Sequence, residues 1–254
     1  AAGGYLSICS GLKGYSVTVT SGPLSGLTSI QYAMNVIKEG QEKIMLATGN
    51  DENIPILDNL FNELGYKAKS VAAPYSGADG FVLGDASTTL VLEDDANAKN
   101  RGATVYAHIL GYGNGRHNVR FGALKGTEAA LEKAIADALA DAGVKADEID
   151  AIYGFANGMK AVDDIEKSVV AKYFAEKPVI AIKERVGEGR AGTAALQVAH
   201  AALMLHGDIA SDNAFVIAKD GSVSRKTVDG ASVKKALVVS FALGGSYTAV
   251  VLGK

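Results

Sequence analysis

The sequence predicts an α/β fold built from two successive rounds of one β-α-β-α-β-β unit. Three observations predict it. Short runs rich in β-branched residues alternate with longer segments whose apolar residues recur every three or four positions. This alternation occurs twice, with a glycine-containing stretch at residues 113–126 between the rounds. Thirty glycines and no tryptophan in 254 residues suit closely packed layers joined by many short turns.

In the first round, residues 17–20 (VTVT) read as a strand from their β-branched content. Residues 25–39 read as a helix that ends at Gly40, with Leu27, Ile30, Ala33, Met34 and Ile37 on one face. Pro23 suits the first turn of that helix, where a missing N–H costs little. Residues 43–48 are the next strand and 54–64 a helix. Residues 81–83 and 88–93 read as an antiparallel pair, and 104–112 as a further strand. In the second round, residues 126–142 form a helix with a Leu131, Ile135, Leu139 stripe and Gly143 as its stop. Residues 149–155 are a strand, and Asp163 with Glu166 reads as a capping box for a helix over 169–174. Residues 178–182 are a strand and 192–206 a helix, followed by strands at 214–218, 235–241 and 246–252. The division between halves is placed at 1–113 and 114–254.

Several blocks carry a resemblance. Residues 15–33 read YSVTVTSGPLSGLTSIQYA, residues 79–86 DGFVLGDA, and residues 89–94 TLVLED. Residues 107–113 read AHILGYG, residues 141–153 DAGVKADEIDAIY, and residues 240–249 SFALGGSYTA. In this order they resemble the sequence blocks of the β-ketoacyl synthases of the thiolase superfamily. The resemblance implies a thiolase-like duplicated fold layered α/β/α/β/α. It also implies that the first strands of the N-terminal half are absent, because the family has a long segment before the strand at residue 17. Interior ladders left without partners would strand buried backbone groups. A chain supplying those strands, or a longer parent chain, is therefore expected.

The family carries a Cys-His-His catalytic set, and here each position differs. Aligning Ser25-Gly26-Leu27 on the family's S-G-L puts Pro23 at the nucleophile. The first histidine position falls on Asn157 in FANGMK, and the second on Glu188 in KERVGEGRAGTA, while Lys183 matches the family lysine. Condensation needs a thiolate to carry the acyl chain. It also needs imidazoles to polarise the thioester. An amide at 157 can still donate a hydrogen bond, whereas an anionic Glu188 would repel carboxylate and enolate, and could pair with Lys183 or Arg190. No catalytic residue is expected.

Composition excludes other classes. The net charge is −3, no basic run suggests nucleic acid, and no apolar run approaches a membrane span. The single cysteine, Cys9, cannot form an internal disulfide and fits a cytoplasmic setting; it is expected to be buried and inert. His108, His200 and His206 read as packing or surface residues, with His117 on a loop, and no spacing suggests a metal.

The resemblance thus implies a non-catalytic subunit like the chain-length factor of type II polyketide systems. Such a subunit pairs with an active ketosynthase and acts with a phosphopantetheine-carrying acyl carrier protein, binding no cofactor itself. Dimers of this fold meet through the elbow, so Ser21, Leu24, Leu27, Thr28 and Gln31 are candidates for pocket or interface, as are Phe241 and Leu243 of the gating loop, where Leu243 replaces an aromatic. Ordinary core packing is the plainer account of the same residues. Two alternatives stand beside it. One is altered acyl-transfer or thioester chemistry that uses Ser21 with Glu188 as base. The other is a scaffold that binds acyl carrier protein through Lys183, Arg185 and Arg190.

Overall fold

Residues 151–153, 178–180, 236–241 and 247–252 are apolar at nearly every position, which is the pattern of strands covered on both faces. A computed structural model, which describes residues 2–69, 73–77 and 80–254, shows that covering. The elements in chain order are α1 (Ala2–Ser10), α2 (Ser25–Lys38), β1 (Ile44–Asp51), α3 (Pro55–Glu63), β2 (Ala86–Glu93), α4 (Asp95–Asn100), β3 (His108–Arg116) and α5 (Glu128–Ala142). They continue as β4 (Ala151–Tyr153), α6 (Lys160–Tyr173), β5 (Pro178–Ile180), α7 (Lys183–Val186), α8 (Arg190–His206), β6 (Ser211–Ile217), β7 (Val223–Asp229), β8 (Lys235–Ala242) and β9 (Ser246–Gly253).

Strands β3-β9-β8-β4-β5-β6-β7 form one mixed sheet, with β4 parallel to β5 and β8 and the remaining pairs antiparallel. Side chains alternate faces along each strand. Ile152, Leu237, Val239, Ala249 and Val251 point into a core with Leu131, Ala134 and Ile135 of α5 and Val162, Ile165 and Val169 of α6. Their neighbours Ala151, Tyr153, Ala236, Val238, Val250 and Leu252 point into a second core, with Leu27, Ile30 and Ala33 of α2 and Val198, Ala201 and Met204 of α8. Ala47 of β1 joins that second core. The layers therefore run α5/α6, large sheet, α2/α8, then the antiparallel β1–β2 pair.

Glycines set two of these distances. Gly111, Gly113 and Gly115 share one face of β3, and a Cβ on them would fall 2.4, 2.1 and 1.7 Å from the carbonyl oxygens of Ala138, Ala134 and Ala130. The alanine stripe of α5 thus lies directly on the strand backbone. Between α2 and α8, a Cβ at Gly26 would lie 2.2 Å from the Ala191 oxygen and 2.8 Å from the Ala195 nitrogen.

The structure corrects several expectations. Residues 17–20 are not a strand: they run exposed, with Val17 47% accessible, because no described strand pairs with them. β-branched content favours extended backbone, but a strand also needs a partner ladder. Residues 81–83 do not pair with β2. Phe81 bridges Lys67 and Leu83 bridges Glu188, while β2 pairs with β1. Asp163 and Glu166 do not cap a helix, since α6 starts at Lys160 and both lie buried inside it. Cys9 is exposed on α1 rather than buried. Strand β7 was not expected from its polar SVSRKTVD sequence, which pairs with β6 at the sheet margin. The division at 113/114 lies within β3, whose Gly113 pairs with Ala249 of β9. Asp79 of the DGFVLGDA block lies outside the described residues.

Candidate functional site

Strand β4 ends at Tyr153 and delivers the chain into a buried loop, residues 154–158. The loop bends sharply, with Ala156 at φ 36° and Gly158 at φ 93°. Its backbone donors are met by α6. Phe155 N donates to Glu166 Oε1 at 2.7 Å and Ala156 N to Glu166 Oε2 at 2.9 Å. From the opposite layer, Gln197 Nε2 of α8 donates to Gly154 O at 2.6 Å. Asn157 Oδ1 accepts from Met159 N at 3.0 Å, which fixes the amide and leaves its Nδ2 to reach outward.

That nitrogen meets Glu188. Asn157 Nδ2 donates to Glu188 Oε2 at 3.2 Å, and Lys183 Nζ stands 2.8 Å from the same oxygen. Glu188 Oε1 accepts from Arg190 N at 2.8 Å. Lys183 Nζ also lies 3.0 Å from the centre of the Phe155 ring, a cation–π contact. The structure thus brings together Asn157, Lys183 and Glu188, three of the four positions the sequence singles out as the family's chemical set. All three are buried, at 3%, 1% and 3% exposure. The ion pair is consequently between groups that have lost nearly all their water. Glu188 is tied on its backbone too: its N donates to Val82 O at 2.7 Å, and its O accepts from Gly84 N at 3.2 Å.

Two further carboxyls flank the pair. Tyr75 OH donates to Glu166 Oε2 at 2.7 Å, and Tyr75 N donates to Asp163 Oδ2 at 2.7 Å. Burial lowers the Lys183 pKa, an effect that Glu188 opposes. Burial raises Glu166, against the hydrogen bonds from Tyr75, Phe155 and Ala156. Burial likewise pushes Asp163 up to about 7. One buried cation faces three carboxyls, so a carboxyl held in the neutral form relieves part of the imbalance. Asp163, Glu166 and Tyr75 are the residues that sequence reading missed. The signal available was an Asp and a Glu three apart on an apolar helix stripe, which places both on the buried face.

The elbow around Pro23, which the sequence reading aligns with the nucleophile, is built separately. Pro23 lies two residues before α2 rather than in its first turn, and Ser21 N donates to Ser25 Oγ at 2.8 Å, which closes the elbow on itself. Gly26, three residues after Pro23, packs on Ala191, three residues after Glu188. The elbow and the Glu188 turn are therefore neighbours across the α2–α8 contact. Arg190 does not pair with Glu188 through its side chain. It turns to β1, where Nη2 donates to Asp51 Oδ1 at 2.6 Å and to Glu52 O at 2.9 Å. Ser21 has no described hydrogen bond to Glu188, whose two oxygens are held by Arg190 N, Lys183 and Asn157.

Of the proposed pocket residues, Leu24 and Leu27 are buried at 6% and 0% exposure, and Leu27 sits in the core between α2 and α8. Thr28 Oγ1 donates to Leu24 O at 3.0 Å, and Gln31 Oε1 accepts from Asn114 at 3.4 Å. Phe241 is buried between Phe155 and Tyr247, with ring centres 5.4 and 5.1 Å away. Leu243 is half-buried, and its carbonyl accepts from Gly122 N at 2.9 Å. The cluster of Asn157, Lys183, Glu188, Asp163, Glu166 and Tyr75 contains no thiol and no imidazole. It can fix a loop and hold charge.

Comparison with known proteins gives these features a lineage. The family model described as Beta-ketoacyl synthase, N-terminal domain, matches residues 1–98, and that described as Beta-ketoacyl synthase, C-terminal domain, matches residues 106–214. The protein named "Putative polyketide beta-ketoacyl synthase 2" of Streptomyces cyaneus is 31% identical over 265 residues, covering 98% of this chain and 61% of that relative. The solved ishigamide ketosynthase/chain length factor is 27% identical with a TM-score of 0.84, over 94% of this chain and 60% of that one. A type II acyl-carrier protein–ketosynthase complex bound to a hexaketide shares the fold, with a TM-score of 0.89 at 22% identity, over 99% of this chain and 66% of that one. The chain spans about three fifths of the length of the first curated relatives it matches. Among the described residues no helix is long and apolar enough to cross a membrane. With both halves of the family's sequence pattern matched and its thiolase-like fold in place, this chain belongs to the β-ketoacyl synthase family.

Proposed function

We propose that the chain is a non-catalytic, chain-length-factor-like subunit that pairs with an active ketosynthase and shapes its acyl tunnel, in polyketide or fatty-acid-like elongation. One observation carries the reading. Glu188, which the sequence reading aligns with a catalytic histidine as it aligns Pro23 with the cysteine and Asn157 with the other histidine, is engaged by Lys183 at 2.8 Å in a buried pair. A carbanion or carboxylate generated there would meet a fixed anion rather than two imidazoles. The pairing of a ketosynthase with a chain length factor in a solved relative supports this role. The acyl-carrier protein bound in another supports a phosphopantetheine-carrying partner for the assembly.

Leu24, Leu27, Thr28 and Gln31 of the elbow, with Ser21, Phe241 and Leu243, are the residues proposed to border that tunnel or the interface. The halves proposed for the fold remain 1–113 and 114–254. The β1–β2 pair has no other strand beside it among the described residues. The backbone groups on the two outer edges of this pair have no ladder among the described residues, which supports a partner that adds strands to it.

The test is reconstitution. Pro23→Cys alone is expected to give no condensation, because Asn157 and Glu188 are unchanged. Co-purification with a ketosynthase that carries an intact Cys-His-His set is expected to give elongation. Condensation by the Pro23→Cys protein on its own would overturn the reading. Altered acyl chemistry through Ser21 is disfavoured by the occupied oxygens of Glu188, which leave no lone base for a serine.

A further inference from the structure

A second polar cluster lies on the other side of β4 from Glu166, and the family's chemical set does not use it. His200 of α8 stands between two buried partners. Its Nδ1 is 3.0 Å from Tyr153 Oη, and its Nε2 is 3.3 Å from Asp212 Oδ2. Asp212, on β6, also accepts from Arg185 Nη2 at 2.8 Å and from Asn213 N at 2.7 Å. Tyr153 is fully buried, and among the described residues the other hydrogen-bond partner of its hydroxyl is Met204 Sδ at 3.6 Å.

These contacts dictate one arrangement of protons. Asp212 accepts from a guanidinium and a backbone amide and faces the ring as an acceptor, so the imidazole nitrogen opposite it carries the proton. In a neutral ring Nδ1 is then an acceptor, and the Tyr153 hydroxyl is its donor. In this state the Tyr153 hydroxyl, both ring nitrogens of His200 and both oxygens of Asp212 have partners. A second proton would place an N–H at Nδ1 against a hydroxyl that must then turn and offer its own proton to a thioether, a weak acceptor.

The cluster touches both arms of the candidate site. Tyr153 immediately precedes the loop that carries Asn157, and Gln197, one turn from His200 on α8, holds Gly154 O at 2.6 Å. Arg185 belongs to α7, the turn that begins with Lys183 and leads to Glu188. We propose that His200 is a proton-sensitive positioning residue: as a neutral imidazole it bridges Tyr153 and Asp212, and through them it sets the spacing of Asn157 from the Lys183–Glu188 pair.

The groups facing the ring are Tyr153 from β4, Asp212 from β6, and Arg185 from α7 through Asp212. Among the described residues no other charged side chain is in hydrogen-bond or ion-pair contact with it. Burial lowers the His200 pKa and Asp212 opposes this, with burial the larger effect, so the ring is neutral at pH 7. The inference does not depend on whether the protein condenses acyl groups.

The test is nitrogen-15 NMR of the histidine side chains in the purified protein between pH 5 and 8, followed together with the Asn157 side-chain amide. At pH 7 His200 is expected as the Nε2–H tautomer, with an apparent pKa below the ordinary 6.5. The Asn157 amide is expected to shift in step with its protonation. His200→Gln keeps a donor and an acceptor but no titration, and should abolish that step while leaving any step from Asp163. Asp212→Ala should remove the tautomer preference, because Asp212 is the acceptor that fixes the proton on Nε2. A ring protonated at pH 7, an Nδ1–H tautomer, or an Asn157 amide with the same acid step in His200→Gln would overturn the proposal.

Discussion

At the scale of single residues, the Lys183–Glu188 pair decides the character of the site. Neither group is hydrated, so each depends on the other. Lys183→Met leaves Glu188 as a buried anion held only by an amide and a backbone N–H. The expected loss is about 3–5 kcal/mol. Glu188→Gln, which strands the ammonium over Phe155, should cost a similar amount. The double variant should lose much less than the sum, because it removes the uncompensated charge. Urea denaturation of the four proteins measures this, and additive losses would show that the two groups do not depend on each other.

Asp163 gives a pH signature. Its folded pKa is about 7 against an ordinary 3.8, because burial disfavours the carboxylate. The folded state therefore binds more protons than the unfolded chain between those values. Its contribution to stability is full below about pH 4 and is lost as pH rises through about 7. The span corresponds to a loss of about 4 kcal/mol at most, at about 1.4 kcal/mol per pH unit. Asp163→Asn is expected to flatten the pH dependence of stability over this window, and an unchanged slope would place the carboxyl's titration elsewhere.

At the scale of elements, the packing of α2 on α8 joins the elbow to the Glu188 turn. The sequence marks it only as a glycine after Ser25. The structure gives the reason, since any Cβ at Gly26 meets backbone atoms of Ala191 and Ala195 that cannot rotate away. Gly26→Val should push the helices apart and cost about 1–3 kcal/mol. A thermal melt reads the loss, and the ring of Tyr153 on the adjacent core reports whether α8 moves. The misread elements have a common cause. Residues 17–20 and 81–83 have strand-like composition, but a strand exists only where a neighbour offers a ladder. Asp163 and Glu166 have the spacing of a cap, yet the helix begins at Lys160 and turns them inward to meet Tyr75 and the 154–158 loop.

At the scale of the whole molecule, stability is unevenly distributed. Strands β8 and β9 are central in a seven-stranded sheet and covered on both faces. The β1–β2 pair has one covered face, with Val91 59% exposed, and α3 has no buried residue while Ile56 is 71% exposed. Amide exchange should therefore be slowest in β8 and β9 and faster by orders of magnitude in β1, β2 and α3, which open without global unfolding. Binding of a strand-bearing or ketosynthase partner is expected to slow exchange in those three elements selectively. Native mass measurement of the purified assembly identifies such a partner, and uniform protection across both sheets in the isolated chain would argue against one.

The sequence by itself determined the family and the α/β alternation, because these rest on local periodicity and on ordered motif blocks. It also named Lys183 as one of two possible partners for Glu188. Only the tertiary structure decided between them: Arg190 is drawn to Asp51 of β1, and Lys183 is left as the cation within 2.8 Å of Glu188. It alone brought in Tyr75, Asp163 and Glu166, and it alone set His200 between Tyr153 and Asp212. The physical reason is the same in each case. Which charge meets which is settled by the layers that exclude water around them, and those layers are assembled from segments far apart in the chain.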